Sequence, residues 1–170
     1  MKKSQSDKIP ILVVDDEENL RHMLQVLLSR EGYQVDLASN GEDALQMALK
    51  TDYAFILSDI KMPVMDGAEF LAKAFAAGVQ GTVIMMSAYG TMDTAIECMK
   101  QGAYDYISKP FKNDEILLVL KKAAERERLK AENSELKKEL KREFSFADIV
   151  SRNPRMMEIF ALVSKVCDFK

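Results

Sequence analysis

The sequence predicts an α/β fold, a doubly wound five-stranded parallel sheet carrying a long C-terminal helical extension. Short apolar runs alternate with amphipathic stretches over roughly the first 120 residues, the pattern of βαβ construction. The first run, Ile11-Leu12-Val13-Val14, has no polar alternation, as a strand covered on both faces requires. Gly32, Gly41, Gly67, Gly78, Gly81 and Gly102 all fall where elements would end, positions that reward a residue tolerant of positive φ.

Taken in order, the apolar runs place strands near 9–14, 33–37, 53–58, 82–87 and 104–107. Between the first two, Leu20, Leu24, Leu27 and Leu28 share a helical face over 18–30. Ala44, Leu45, Ala48 and Leu49 do the same over 41–49, and further helices are expected near 67–76 and 92–101. Right-handed crossovers make the flavodoxin-like strand order 2-1-3-4-5 one of two common solutions. After Pro110 a helical pattern rich in Lys, Arg and Glu runs from Asn113 to about Arg142, longer than globular helices usually are. Its start, Ile116, Leu117, Leu120 and Ala123, can pack on a sheet. Farther on, Leu129, Asn133, Leu136 and Leu140 follow heptad spacing, with Arg126 and Asn133 as polar interruptions. The reading is therefore a domain over 1–122, a helical linker that can form a coiled coil over 123–144, and a third segment over 145–170. That last piece, with Pro154 opening a helical run, is too short to fold alone.

Composition narrows the function. The chain has 170 residues, 48% hydrophobic, with net charge −3, so a real core is affordable and no basic field announces nucleic-acid binding. Two cysteines, Cys98 and Cys167, lack CxxC spacing, which argues against a disulfide framework or zinc site and for the cytoplasm. No stretch has the make-up of a signal peptide or a membrane span.

In a doubly wound sheet, ligands bind beyond the carboxyl ends of the strands, where strand order reverses. Strand 1 ends in Asp15-Asp16 and strand 3 in Asp59, so three carboxylates are expected to converge on one crevice. Oxygen-only donors suit Mg²⁺, which would hold the repelling carboxylates together and grip a phosphoryl group. Ser87 after strand 4 offers a hydroxyl. Lys109, before Pro110, can pair with a carboxylate at rest and with phosphate oxygens later, and the Lys-Pro bond is one of the few that can be cis. Singly, each residue has a plainer reading: Asp15 as a helix N-cap, Asp59 as the start of a turn, Ser87 as a loop hydroxyl, Lys109 as a solvated cation. Their shared edge of one sheet favours the joint reading. His22 reads as a surface residue, Cys98 as a small buried hydrophobe, and the many methionines as core filler or adaptable interface.

The segments VVDDEE, ILSDIKMPVMDG, MMSAYG and AYDYISKPF together resemble the receiver domain of two-component response regulators over about residues 8–122. The resemblance implies that Asp59 is the phosphoacceptor, that Asp16 binds Mg²⁺ directly with Asp15 assisting, and that the Lys61 backbone carbonyl is a further ligand. It implies that Ser87 and Lys109 touch the phosphoryl group and that Tyr106 is an aromatic switch whose ring turns inward on activation. SAYGTMDTAIECMKQGAYDYISKPF looks like the NtrC-like branch that activates σ54-dependent transcription, and DIVSRNPRMMEIFALVSKV is similar to the start of its AAA+ ATPase domain, apart from Ser151 and Asn153. Expected partners are a sensor histidine kinase, a second copy through the helix 4/strand 5 face and the linker, and σ54-RNA polymerase and DNA only through sequence beyond this chain. The segment has no GxxxxGK[ST] loop, so it cradles no ATP phosphates. The domain is expected to be a regulator rather than an enzyme, promoting only its own phosphorylation and dephosphorylation. A Mg²⁺-dependent aspartyl-phosphate hydrolase is the alternative, but such enzymes typically have a second Asp two residues on, where this chain has Lys61. A flavodoxin-like electron carrier would hold an FMN phosphate after strand 1, where Asp15 and Asp16 repel it.

Overall fold

The structure is a computed structural model that describes residues 8–88, 92–143, 145–146, 149–150 and 153–167. Tyr89 and Gly90 of the strand-4 motif and Ser151 of the tail lie outside the described residues. The chain divides into two compact units, Met1–Ala123 and Ala124–Lys170.

The first unit holds β1 (Ile9–Val14), α1 (Glu18–Arg30), β2 (Tyr33–Ala38), α2 (Gly41–Ala48) and β3 (Phe55–Asp59). It continues through α3 (Gly67–Ala76), β4 (Thr82–Ser87), α4 (Met92–Lys100) and β5 (Asp105–Ser108) into the first turns of α5 (Asn113–Glu143). All five strands pair in parallel in the order β2-β1-β3-β4-β5. Unbroken apolar runs give strands covered on both faces: Ile11, Leu12, Val13, Val14, Ile56, Leu57, Ile84, Met85 and Met86 are all 0% exposed. Each such side chain contributes about 1.5–3 kcal/mol of burial.

Helices cover the sheet with the faces the spacing anticipates: Leu24 and Leu28 on α1, Ala44 and Ala48 on α2, Phe70, Leu71 and Ala74 on α3. Asn40 and Asp66 cap α2 and α3, accepting the N–H of Asp43 at 2.9 Å and of Glu69 at 2.8 Å. On α5, Ile116, Leu120 and Ala123 are buried, whereas Leu129 and Leu136 are 51% and 53% exposed.

Gly67 stands at a helix start for a different reason from the positive-φ glycines: a Cβ there would lie 2.0 Å from the Asp59 carbonyl oxygen. Its N–H donates to the Ile60 carbonyl at 2.8 Å, so α3 begins tight against the end of β3. His22 is exposed, Cys98 buried, and Met62, Met65, Met85 and Met86 are core residues, while Met99 is 45% exposed. Strand β3 starts at Phe55, two residues later than expected, and the Tyr53 hydroxyl just before it donates to Asp36 at 2.8 Å.

The second unit contains the rest of α5, a two-stranded antiparallel pair of β6 (Ser145–Phe146) and β7 (Ile149–Val150), and α6 (Pro154–Cys167). The hairpin was not legible from strands of two residues. No helix among the described residues is long and apolar enough to cross a membrane.

Candidate functional site

The hydrogen-bond ladder of β1 carries one residue past its end, the Asp15 N–H donating to the Ala38 carbonyl at 3.2 Å. Asp15 therefore keeps the buried side of the strand and is 0% exposed. Side chains alternate along an extended chain, and Asp16 is exposed. The Asp15 Oδ1 accepts the Glu17 N–H at 2.9 Å, and Arg21 Nη1 donates to the Asp15 carbonyl at 2.5 Å. Asp15 is thus not the N-cap of α1; Glu17 holds that place without a side-chain cap.

Across the strand-order reversal, Asp59 ends β3 and is 5% exposed. Its Oδ2 accepts the Lys61 N–H at 2.9 Å. Beyond β5, the Lys109 N–H donates to the Ser87 carbonyl at 2.7 Å, and the Lys109–Pro110 bond is cis. The Lys109 ammonium reaches Asp15 Oδ2 at 2.6 Å and Asp59 Oδ1 at 2.8 Å, with Glu17 Oε1 farther off at 3.9 Å. Ser87 ends β4 and is 3% exposed.

One ammonium shared by two buried carboxylates leaves a surplus negative charge, and the titrations follow from it. Burial pushes the Asp59 carboxyl up, Lys109 pulls it down, and the Asp15 charge pushes it up again, with a net rise. Burial alone would lower the Lys109 ammonium, but its hydrogen bonds and attraction to Asp15 and Asp59 outweigh that and raise it.

Of the three carboxylates expected to converge, Asp15 and Asp59 meet at the Lys109 ammonium, and Asp16 is exposed. The positive group between the two buried carboxylates is the Lys109 ammonium. Tyr106 packs against the core with its hydroxyl buried and without a hydrogen-bond partner among the described residues. Glu17 and Arg21 are additions that the sequence did not single out; their signal was a charged residue within two turns of the acidic pair. A cavity of about 450 Å³ opens beside the crevice, lined by Glu17, Leu20, Met23, Ala88, Lys109, Pro110 and Phe111.

An acidic crevice at the switch point of a 2-1-3-4-5 sheet, with a lysine bridging two strand-end aspartates, defines a receiver-type domain. Residues 11–121 match the response regulator receiver domain family, and the chain belongs to it, a family of phosphorylation-dependent signalling domains. The chain is 35% identical over 156 residues to the regulatory protein AtoC of Escherichia coli, covering 92% of this chain and 34% of that protein. It is similar to the beryllofluoride-activated NtrC4 receiver domain dimer (TM-score 0.65, 34% identity, 69% of this chain and 97% of that one). It is also similar to a chain of the CheX-CheY-BeF3-Mg complex of Borrelia burgdorferi (TM-score 0.64, 29% identity, 66% and 86%). The AtoC and NtrC4 matches place the chain among NtrC-like regulators. The chain spans less than half the length of curated relatives such as AtoC, at 34%, and a Rickettsia bellii NtrX-like regulator, at 27%.

Proposed function

We propose that Asp59 accepts a phosphoryl group from a sensor histidine kinase in the cytoplasm and thereby controls pairing of two copies of a σ54-dependent transcription activator. The observation that supports this most is the buried Asp15–Lys109–Asp59 clamp. An Asp59 carboxylate oxygen attacks phosphorus as the bond to the donor's imidazole nitrogen breaks, giving an acyl phosphate and free imidazole. Lys109 neutralises charge on the transferring group by moving from carboxylate to phosphoryl oxygens. Ser87, at the end of the adjacent strand, donates its hydroxyl to a phosphoryl oxygen. The Lys61 N–H holds Asp59 in place through its bond to Oδ2. The apolar walls Leu20, Met23, Pro110 and Phe111 exclude water at the approach.

The donor chemistry fits Mg²⁺: oxygen ligands from Asp15, Asp16, Asp59 and the Lys61 carbonyl, with surplus negative charge and no soft ligand. When bound, the ion would neutralise phosphoryl oxygens beside Lys109. The related Borrelia complex contains Mg and a beryllofluoride, which supports this choice.

The phosphorylated state adds about −1.5 to −2 charge in the crevice, drawing Ser87 inward and shifting the balance of Tyr106 between its packed position and others. That bias is passed to α4, β5 and α5. The similarity to AtoC, a regulatory protein, and to an NtrC4 receiver dimer supports transcriptional control through paired chains; contacts with σ54-RNA polymerase and DNA would fall to further domains, with 145–170 opening an AAA+ domain. The chain acts as a phosphoacceptor, not as a turnover enzyme. A hydrolase role is disfavoured by Lys61, which offers Asp59 a backbone N–H and no second carboxylate. The test is incubation with acetyl phosphate and Mg²⁺ followed by intact-mass measurement. The wild type is expected to gain one phosphoryl group and Asp59→Asn none; an adduct that persists in the variant moves the acceptor elsewhere.

A further inference from the structure

Each polar group of Asp15 is engaged, and one of its partners reaches in from the side of α1. The N–H donates to the Ala38 carbonyl at 3.2 Å, Oδ1 accepts the Glu17 N–H at 2.9 Å, and Oδ2 meets the Lys109 ammonium at 2.6 Å. The carbonyl accepts Arg21 Nη1 at 2.5 Å. Arg21 stands in the first turns of α1, where its own N–H donates to the Glu17 carbonyl at 3.1 Å. The side chain therefore turns back over six residues and closes the β1–α1 loop from the helix side.

A peptide group is planar. The bond that orients the Asp15 carbonyl therefore also orients the Asp16 N–H and the direction in which Asp16 leaves the strand. Among the described residues nothing else bonds to that peptide, and the exposed Asp16 carboxylate has no hydrogen bond or ion pair of its own. Asp15 is held by its side chain as well as its backbone, whereas Asp16 depends on how its peptide is set.

Arg21 is half-buried and has no carboxylate at ion-pair distance among the described residues. Asp43, which lines a cavity of about 450 Å³ with it, is bonded instead by Asn40 Nδ2 at 2.8 Å. An unpaired guanidinium beside a crevice suited to a dication opposes that ion by charge. What it supplies is geometry, a planar fork on a long stem that a compact, strongly hydrated ammonium does not reproduce.

We infer that Arg21 is a positioning residue of the crevice: its bond to the Asp15 carbonyl sets the Asp15–Asp16 peptide and so holds the Asp16 carboxylate ready for Mg²⁺. This rests on the proposed reading of the crevice as a Mg²⁺-assisted phosphoacceptor site. Groups that orient metal ligands govern metal affinity by about 10–100-fold, and Arg21 acts on the ligand that has no other restraint.

Mg²⁺ alone, titrated by isothermal calorimetry into the 170-residue chain, is the probe, because charge and geometry give opposite signs. Arg21→Ala should weaken Mg²⁺ binding by about tenfold or more, and Arg21→Lys, which keeps the charge and loses the fork, should weaken it too. A guanidinium acting only as a charge would leave Arg21→Ala binding Mg²⁺ more tightly than the wild type and Arg21→Lys unchanged. Arg30→Ala, exposed in the last turn of α1, should bind as the wild type does. With acetyl phosphate, the Mg²⁺ concentration giving half the maximal rate should rise in Arg21→Ala by the same factor as the affinity falls, with the rate at saturating Mg²⁺ little changed. In chelator, nuclear magnetic resonance should show the Asp16 amide signal displaced in Arg21→Ala and unmoved in Arg30→Ala, with circular dichroism confirming that helix content is kept. Unchanged or tighter Mg²⁺ binding in Arg21→Ala, an unmoved Asp16 amide, or an equal loss in Arg30→Ala overturns the inference and leaves the phosphoacceptor standing. A wild type that binds Mg²⁺ but gains no phosphoryl group on Asp59 sinks the phosphoacceptor alone, and one that binds no Mg²⁺ sinks both.

Discussion

Along α5, Ile116, Leu120 and Ala123 are buried to within 1% of complete exclusion from water, whereas Leu129 and Leu136, with the same helical spacing, stand about half exposed at 51% and 53%. The two stretches have similar periodicity and differ in what surrounds them: the first belongs to the sheet unit, the second is flanked by Lys and Glu at nearly every turn. Equal apolar periodicity therefore does not fix burial; what lies against the face does. The crevice obeys a parallel rule with charge in place of apolar surface. Adjacent Asp15 and Asp16 share a chemistry, yet only Asp15 is buried, on the side of the strand where its carboxylate meets the Lys109 ammonium.

The sharpest way to break the comparison is to truncate one leucine from each stretch. Leu120→Ala should cost about 2–5 kcal/mol in chemical denaturation. Leu136→Ala, compared at the other extreme, should change the stability of the monomer by no more than about 0.5 kcal/mol; an equal cost at both sites would erase the contrast.

Next in size is the charge at the crevice. Burial raises the Asp59 carboxyl above its ordinary value, so the folded protein holds that proton more tightly than the unfolded chain. Stability should fall as pH rises from the ordinary aspartate range through the raised value, and the deficit should be fully present above it. Asp59→Asn, measured in chelator at neutral pH, should therefore be more stable than the wild type, by on the order of 1 kcal/mol, and should flatten the slope in that acidic window. A variant less stable than the wild type at neutral pH would mean that the Lys109 pair outweighs burial.

Val64 is a third environment, apolar and 84% exposed, with its backbone at φ 70°. A β-branched residue is strained there, and nothing packs on it in compensation. Val64→Asn should raise the midpoint of thermal unfolding, a gain of about 1 kcal/mol.

Much of this was readable in the residues. Unbroken apolar runs such as Ile11–Val14 and the glycine ends place all five strands and four helices within two residues, because burial on both faces leaves little choice of period. The strand order 2-1-3-4-5 was one of two common solutions for right-handed crossovers, and it is the order observed. Lys109 was legible as a partner for carboxylates, and the structure makes it the bridge. Asp16 was not legible as exposed: a sequence gives adjacency, while the direction of a side chain depends on how far the β1 ladder extends, here one residue, to the Ala38 carbonyl. Arg21 escaped notice because its bond is to a backbone carbonyl six residues back, which no residue type announces.

The phosphoacceptor is the centre of the account, and its identity can be read chemically. After incubation with acetyl phosphate and Mg²⁺, reduction with borohydride converts a phosphorylated aspartate to homoserine, which peptide mass mapping locates. The account expects homoserine at position 59 and at no other aspartate, and its yield should drop to background in Lys109→Ala. Homoserine at Asp15 or Asp16 with Asp59 unmodified would contradict it.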